Sequence, residues 1–230
     1  MRKVLLLSLL IVGASSQAIM IDDFETGAFD AVLENNYVSQ SGLPTSNAIG
    51  GTRAEHAFDT GGFLQMTCTA GGTGNLILNT ISSSMSDVFW LGSLSQGVPP
   101  SGAGTLLPED FEGINPNVDL NGLNFFHINY TTQSNDYQVN ISVYNPDLSE
   151  SVSSQFIPVA TGANADMFVS FNVFSGGGVY ANAGGFRLGI EGLDDGFLTI
   201  HSFEVVAVPE PSTVLVIVCG MVLLARFRRR

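Results

Sequence analysis

Residues 123–144 read LNFFHINYTTQSNDYQVNISVY, and this stretch decides the fold class. From Tyr137 to Tyr144 apolar and polar residues alternate without a break, with Tyr137, Val139, Ile141 and Val143 set against Gln138, Asn140, Ser142 and Tyr144. A period of two belongs to a β-strand, whose side chains point to opposite faces in turn. In 123–131, Phe126, Ile128 and Tyr130 form the apolar row, leaving His127, Asn129 and Thr131 on the polar one. The polar residues between the runs, Gln133 to Asp136, have the composition of a turn. Pairing of the two strands through that turn would place His127, Asn129, Gln138, Asn140 and the ring of Tyr144 on one sheet surface. Such a surface suits a glycan, because amides both donate and accept and an aromatic ring stacks on the apolar face of a pyranose. A solvated outer sheet face has the same pattern.

The same short, strand-like runs recur outward in both directions, at 19–24, 53–58, 63–69, 75–81, 88–91, 153–159, 167–174, 186–190 and 197–206. Between them stand turn signals such as Gly71-Gly72, Asn121-Gly122, Gly184-Gly185 and Asp194-Asp195-Gly196. No helical period is sustained over ten residues. The expectation is all-β, a two-sheet antiparallel β-sandwich. Residues 92–117 carry four prolines and no strand pattern, so they form either a functional loop or an unstructured excursion.

Both ends of the chain differ from this middle. Met1-Arg2-Lys3, an apolar run over 4–12 and Ser16-Gln17-Ala18 have the charge, length and small residues of a secretory signal peptide, with cleavage by signal peptidase after Ala18. At the other end Val208-Pro209-Glu210-Pro211-Ser212-Thr213 precedes an apolar run over 214–225 and the cluster Arg226-Phe227-Arg228-Arg229-Arg230. Twelve residues span about 18 Å as a helix, short of a bilayer core of about 30 Å. A thinned or tilted insertion as a short transmembrane helix is open to it, with the arginines on the cytoplasmic side. In order, spacing and terminal position this tail resembles the PEP-CTERM sorting signal of Gram-negative bacteria that make exopolysaccharide. The resemblance implies recognition by an exosortase and processing near Pro209, Glu210 and Pro211, with Arg226, Arg228, Arg229 and Arg230 as the membrane-stop cluster. It implies an inner-membrane intermediate followed by display at the cell surface or in the extracellular matrix. A plain C-terminal membrane anchor is the other reading. The chain thus divides into a leader at 1–18, an ectodomain at 19–207 and a sorting segment at 208–230.

The whole chain carries −13, but six of its eight basic residues lie in the leader and the tail. The ectodomain keeps only Arg53 and Arg187 against twenty acidic residues, a net charge of −18. Nucleic acid and anionic membrane surfaces are excluded as partners, since both need a basic face. Cys68 is the only ectodomain cysteine and shares an alternating run with Leu64 and Met66, the position of a buried structural thiol. No lysine remains after the leader, which removes P-loop, Schiff-base and Ser-Lys chemistry. There is no G-x-S-x-G elbow and no H-E-x-x-H, and His56, His127 and His201 lie far apart.

More loosely, Ile21-Asp22-Asp23-Phe24-Glu25, Val118-Asp119-Leu120-Asn121-Gly122 and Leu198-Thr199-Ile200-His201-Ser202-Phe203 resemble the first, middle and last strands of galactose-binding-like jelly rolls found in carbohydrate-binding modules. The resemblance implies glycan binding and a structural calcium near the terminal strands. Asp22, Asp23, Glu25, Asp194, Asp195 and Glu204 would supply the calcium oxygens if the first and last strands pair, although no contiguous calcium-loop motif is present. Three functions follow from these readings. The first is a non-catalytic, exopolysaccharide-associated surface or matrix protein. The second is a carbohydrate-binding module, and the third is a polysaccharide-degrading enzyme.

Overall fold

The structure is a computed structural model that describes residues 17–34, 37–45, 48–59, 63–69, 74–81, 83–92, 108–115, 117–174 and 178–208. Most of the leader, and the tail with Pro209, Glu210, Pro211 and the terminal arginines, lie outside the described residues, as does most of the loop at 92–117. Among the described residues no helix is long and apolar enough to cross a membrane.

Fourteen described strands form two antiparallel sheets packed face to face. The first sheet is built on β14 (Gly196–Val206). On one edge β14 pairs with β8 (Phe125–Thr132), which in turn pairs with β12 (Gly162–Ser170). On the other edge it pairs with β6 (Asn75–Thr80) over its first half and with β1 (Ala18–Asp22) over its second. Beyond β6 lie β5 (Phe63–Thr69) and β2 (Phe29–Glu34). The second sheet runs from β9 (Tyr137–Tyr144) through β13 (Gly185–Gly192), β7 (Ser84–Trp90) and β4 (Thr52–Asp59) to β3 (Tyr37–Pro44). Two short strands, β10 (Ser151–Ser153) and β11 (Ile157–Pro158), line the outer edge of β9.

The inward rows of the two sheets make one core. Phe126, Phe203, Trp90 and Phe24 are fully buried and in ring contact, with centroids 5.7 Å apart for Phe126 and Phe203 and 5.4 Å for Trp90 and Phe203. Burying each such ring contributes roughly 1.5–3 kcal/mol.

The all-β sandwich agrees with the sequence reading, and β5 and β9 have the expected limits. One inference from the deciding stretch is corrected. β8 and β9 do not pair, because β8 belongs to the first sheet and β9 to the second. Residues 133–136 carry the chain across the sandwich, and Ile128 and Tyr130 lie near Val139 in the apolar packing between the sheets. Alternation requires only that one face be buried, which a strand on the opposite sheet provides as well as a hairpin partner does. Residues 153–159, read as one strand, form two short pieces, with Ser154 Oγ accepting from Ile141 N at 3.0 Å in the gap. The expected strand at 167–174 starts earlier and ends at Ser170, whose side chain caps a short 3-10 turn at Phe171–Val173. β2 and β3 have no counterpart among the runs read from the sequence.

Candidate functional site

The two sheets are joined at one end by a charged hub where β1 meets β4. Arg53 is fully buried and all of its donor groups are engaged: Nη1 donates to Asp22 Oδ2 at 2.7 Å, Nε to Glu55 Oε1 at 2.6 Å, and Nη2 to Gly27 O at 2.6 Å. Nη2 also lies 2.9 Å from Cys68 Sγ, and Trp90 Nε1 donates to Asp22 Oδ2 at 2.8 Å. The hub therefore links the first sheet, through Asp22 and Cys68, to the second, through Arg53, Glu55 and Trp90. Phe24 N donates to Asp22 Oδ1, which holds Phe24 at φ 56° with its ring 5.3 Å from the guanidinium carbon. Burial pushes the Cys68 thiol up to about 12, so it stays protonated and inert as expected. Burial also pushes the Glu55 carboxyl up to about 7, against the pull of Arg53, and Glu55 Oε2 finds no hydrogen-bond partner. Every polar atom of the hub points inward, which makes it a structural centre rather than a binding surface.

The outer face of the second sheet has a different character. Register aligns Asn140, Gly189, Asp87 and His56 in one row across β9, β13, β7 and β4. Ser142, Arg187, Phe89 and Ala54 form the next row, and Gln138, Glu191 and Met85 the one on the other side. Asp87 Oδ1 accepts from Arg187 Nε at 2.9 Å and from Nη2 at 2.7 Å, and Asp87 Oδ2 lies 3.9 Å from His56 Nδ1. Gln138 Nε2 donates to Glu191 Oε2, and Asn140 Nδ2 to Ser154 O. A Cβ at Gly189 would stand 3.2 Å from Asp87 Oδ1 and 3.4 Å from Arg187 Nη2, tighter than an ordinary contact, so the glycine lets this pair lie close over the strand.

One end of the face is walled. Phe111, Leu148, Leu91, Tyr144, Phe89 and Ala54 form a second apolar cluster outside the sheet. The wall is seated through Gly113 N, which donates to Leu91 O at 3.0 Å, and through Gly92 and Gly113, both at positive φ. A Cβ on Gly92 would come within 2.1 Å of the Gly113 carbonyl oxygen, so only glycine permits this approach. Asn140, Ser142 and Asp87 are buried although they point outward from the sheet, in contact with Ser154, Ser153 and Arg187 respectively. Arg187, with 24% of its side chain exposed, is the only surface Lys or Arg among the described residues. Its charge is matched by Asp87, and Glu191 stands two rows away from it, so the face carries no excess of positive charge.

The five residues expected on one glycan surface are divided between two. Gln138, Asn140 and Tyr144 lie on the outer side of the second sheet, with Tyr144 buried in the wall cluster and its phenol pKa raised by burial. His127 and Asn129 lie on the outer side of the first sheet. There His127 Nδ1 is 2.6 Å from Glu204 Oε1 and its Nε2 is 2.8 Å from Asp166 Oδ1, while Asn129 Nδ2 donates to Asp166 Oδ1 at 3.0 Å. Sequence reasoning misses Asp87, Arg187 and His56 as neighbours, and the one signal that could have found them is the rarity of Arg187, one of only two ectodomain cations.

The acidic residues expected around calcium do not converge. The first and last strands pair as that reading required, but Asp22 aligns with Phe203, seven residues from the Gly196 end of β14 where Asp194 and Asp195 lie. At about 3.3 Å per residue the separation exceeds 20 Å. Asp22 points inward and both its oxygens are engaged by the hub, whereas Glu204 points outward onto His127. Asp23 Oδ1 accepts from Glu25 N at 3.1 Å. Among the described residues no group of three or more His, Cys, Asp or Glu side chains is placed to hold a metal ion.

No family model matches the chain, and no curated protein does. Several solved structures overlay on it at low identity. The family 11 carbohydrate-binding module of the cellulosomal cellulase Lic26A-Cel5E of Clostridium thermocellum is 9% identical, covering 84% of this chain and 95% of that one at a TM-score of 0.41. The family 11 module from the same organism in complex with a β-1,3-1,4-mixed-linked tetrasaccharide is also 9% identical, covering 82% and 94% at 0.41. An agarase is 12% identical and covers 84% of this chain but 25% of its own length, at 0.39. Scores this low carry no functional argument.

Proposed function

We propose that this chain is an exported, non-catalytic β-sandwich that binds a neutral polysaccharide through the outer face of its second sheet. The observation that carries the reading is the recessed row of Asn140, Gly189, Asp87 and His56 with Arg187 alongside. A guanidinium paired with a carboxylate offers donors and acceptors at fixed spacing, and vicinal sugar hydroxyls need both. The matched charge of the pair, in a domain of −18, favours a neutral polymer over a polyanion. The Pro-Glu-Pro tail and the leader support placement at the cell surface or in the polysaccharide matrix of a Gram-negative bacterium.

Affinity electrophoresis of the exported protein in gels containing mixed-linkage β-glucan, galactomannan, dextran or alginate tests this. Retardation is expected in at least one neutral polymer. Arg187→Ala and Asp87→Asn should each weaken it at least tenfold, as expected for loss of a charged hydrogen bond worth about 1.5–3 kcal/mol. Retardation by alginate alone, binding unchanged in both variants, or release of reducing ends from the polymer would each overturn the reading.

A further inference from the structure

We infer that the outer face of the first sheet is a second glycan platform, so that one chain bridges two polysaccharide strands. The inference rests on the reading that the partner is a neutral polysaccharide, and on a separate set of residues. Register sets Phe168, His127, Glu204 and Met20 side by side across β12, β8, β14 and β1. Phe168 is 51% exposed, yet its ring is fixed. It lies parallel to His127 at 4.5 Å between centroids and 10° between planes, with Phe125 edge-on at 6.3 Å. His127 is itself held at both ring nitrogens by Glu204 and Asp166, so the stack is braced across three strands. An exposed aromatic ring without such bracing is a flexible side chain. A braced one is a preformed surface for the apolar face of a sugar ring.

Polar groups that suit the rim of that sugar ring lie alongside. Asp166 is more than half exposed beside Asn129. Further along β8 and β14, Thr131 Oγ1 lies 2.9 Å from His201 Nε2, whose Nδ1 is 2.6 Å from Asn75 Oδ1. The hydrogen bonds from Asn129 and His127 hold the Asp166 carboxyl below its ordinary range, so it is an ionised acceptor at neutral pH. Other occupants fit less well. A second copy related by a two-fold axis would bring Asp166 and Glu204 toward their own images on a domain of −18, and a polyanion or anionic lipid would meet the same carboxylates. An uncharged polyol has neither conflict. Because the two platforms are the outer faces of opposed sheets, they point away from each other and engage different strands of polymer.

The test combines stoichiometry with bridging. The exported protein is titrated calorimetrically with hexasaccharides of mixed-linkage β-glucan, galactomannan and dextran, and light scattering follows its mixtures with the parent polymers. Two sites per chain and growth of large scattering particles are expected. Phe168→Ala, at an exposed position, should keep its unfolding temperature, drop to one site and lose the particle growth. Arg187→Ala should also drop to one site, retaining the one at Phe168. One site per chain that Phe168→Ala leaves intact would overturn the inference while sparing the second-sheet reading. One site lost in Phe168→Ala but kept in Arg187→Ala would do the reverse, and absence of any binding overturns both. A dimer that dissociates in Phe168→Ala without any change in sugar stoichiometry would assign the face to self-association instead.

Discussion

Glu55→Gln should make the protein more stable at neutral pH, and the gain should grow with pH. With Glu55 ionised, the hub buries one cation, Arg53, with two anions, Asp22 and Glu55, and Glu55 Oε2 has no donor to face. The Gln side chain keeps an oxygen to accept from Arg53 Nε and leaves Arg53 and Asp22 as a neutral pair. The wild-type carboxyl titrates at about 7 in the fold against an ordinary value of 4.5. The folded state therefore binds the extra proton between those values. Its stabilising effect is complete below the unfolded value and is lost as pH rises through 7. Raising a carboxyl this far corresponds to about 3 kcal/mol, of which roughly 2–3 kcal/mol should open between about pH 5 and pH 8. The other charged and titratable groups facing Glu55 are Arg53, Asp22 and the protonated Cys68, so the surface histidines cancel when wild type and variant are subtracted. Urea denaturation at several pH values measures the difference directly. At a slope of about 2–3 kcal/mol per molar urea, the variant's midpoint should exceed that of wild type by about 1 M more at pH 8 than at pH 5. Midpoints that stay parallel across this range, or a variant less stable at pH 8, would refute the description of the hub.

Removing the hub's cation acts in the opposite direction. Arg53→Met should cost about 3–5 kcal/mol, seen as a lowered urea midpoint, because Asp22 and Glu55 stay buried without their partner. Gly92→Ala forces the wall away from Gly113, so it should weaken glycan retardation several-fold in affinity gels and, because the clash is with backbone at a positive φ, also lower the unfolding temperature clearly. Mass spectrometry of the protein recovered from the envelope or medium should show that the tail is lost near Pro209 to Pro211. An intact Arg230 in the mature protein would rule out exosortase processing.

The parts of this fold that are legible in the sequence are those where alternation is strongest. Leu64, Met66 and Cys68 on β5, and Tyr137 to Val143 on β9, show one fully buried face, and both strands have the limits that their alternation predicts. β3 has only Val38 and Leu43 as aliphatics among serines, Gln40, glycine and proline, a pattern too weak to separate from a loop. The hub leaves one trace, Arg53 as one of two ectodomain cations, but nothing local joins it to Asp22 on the other sheet, 31 residues away. The candidate site is legible as composition and not as place. The polar rows of β8 and β9 can both be read from the sequence, and each does face outward, but a period of two states only that a strand has an outside. It is silent on which of two sheets the strand joins.

That ambiguity has a physical consequence for function. Had β8 and β9 paired, His127, Asn129, Gln138 and Asn140 would have formed one polar surface. In the sandwich the same residues lie on opposite sides, and each set acquires new neighbours from strands distant in sequence. His127 gains Phe168, Asp166 and Glu204, whereas Gln138 and Asn140 gain Glu191, Gly189 and Asp87. The first set is an exposed aromatic platform and the second a recessed floor behind a wall. Two surfaces so different in depth and aromatic content will not select the same portion of a polysaccharide. The floor suits a few hydroxyls of a polymer inserted against the wall, and the platform suits the flat face of any exposed ring. If both proposed faces bind, a chain with one selective and one permissive face, facing opposite ways, would hold its chosen polymer while tethering it to less defined strands, which is the property a matrix component requires.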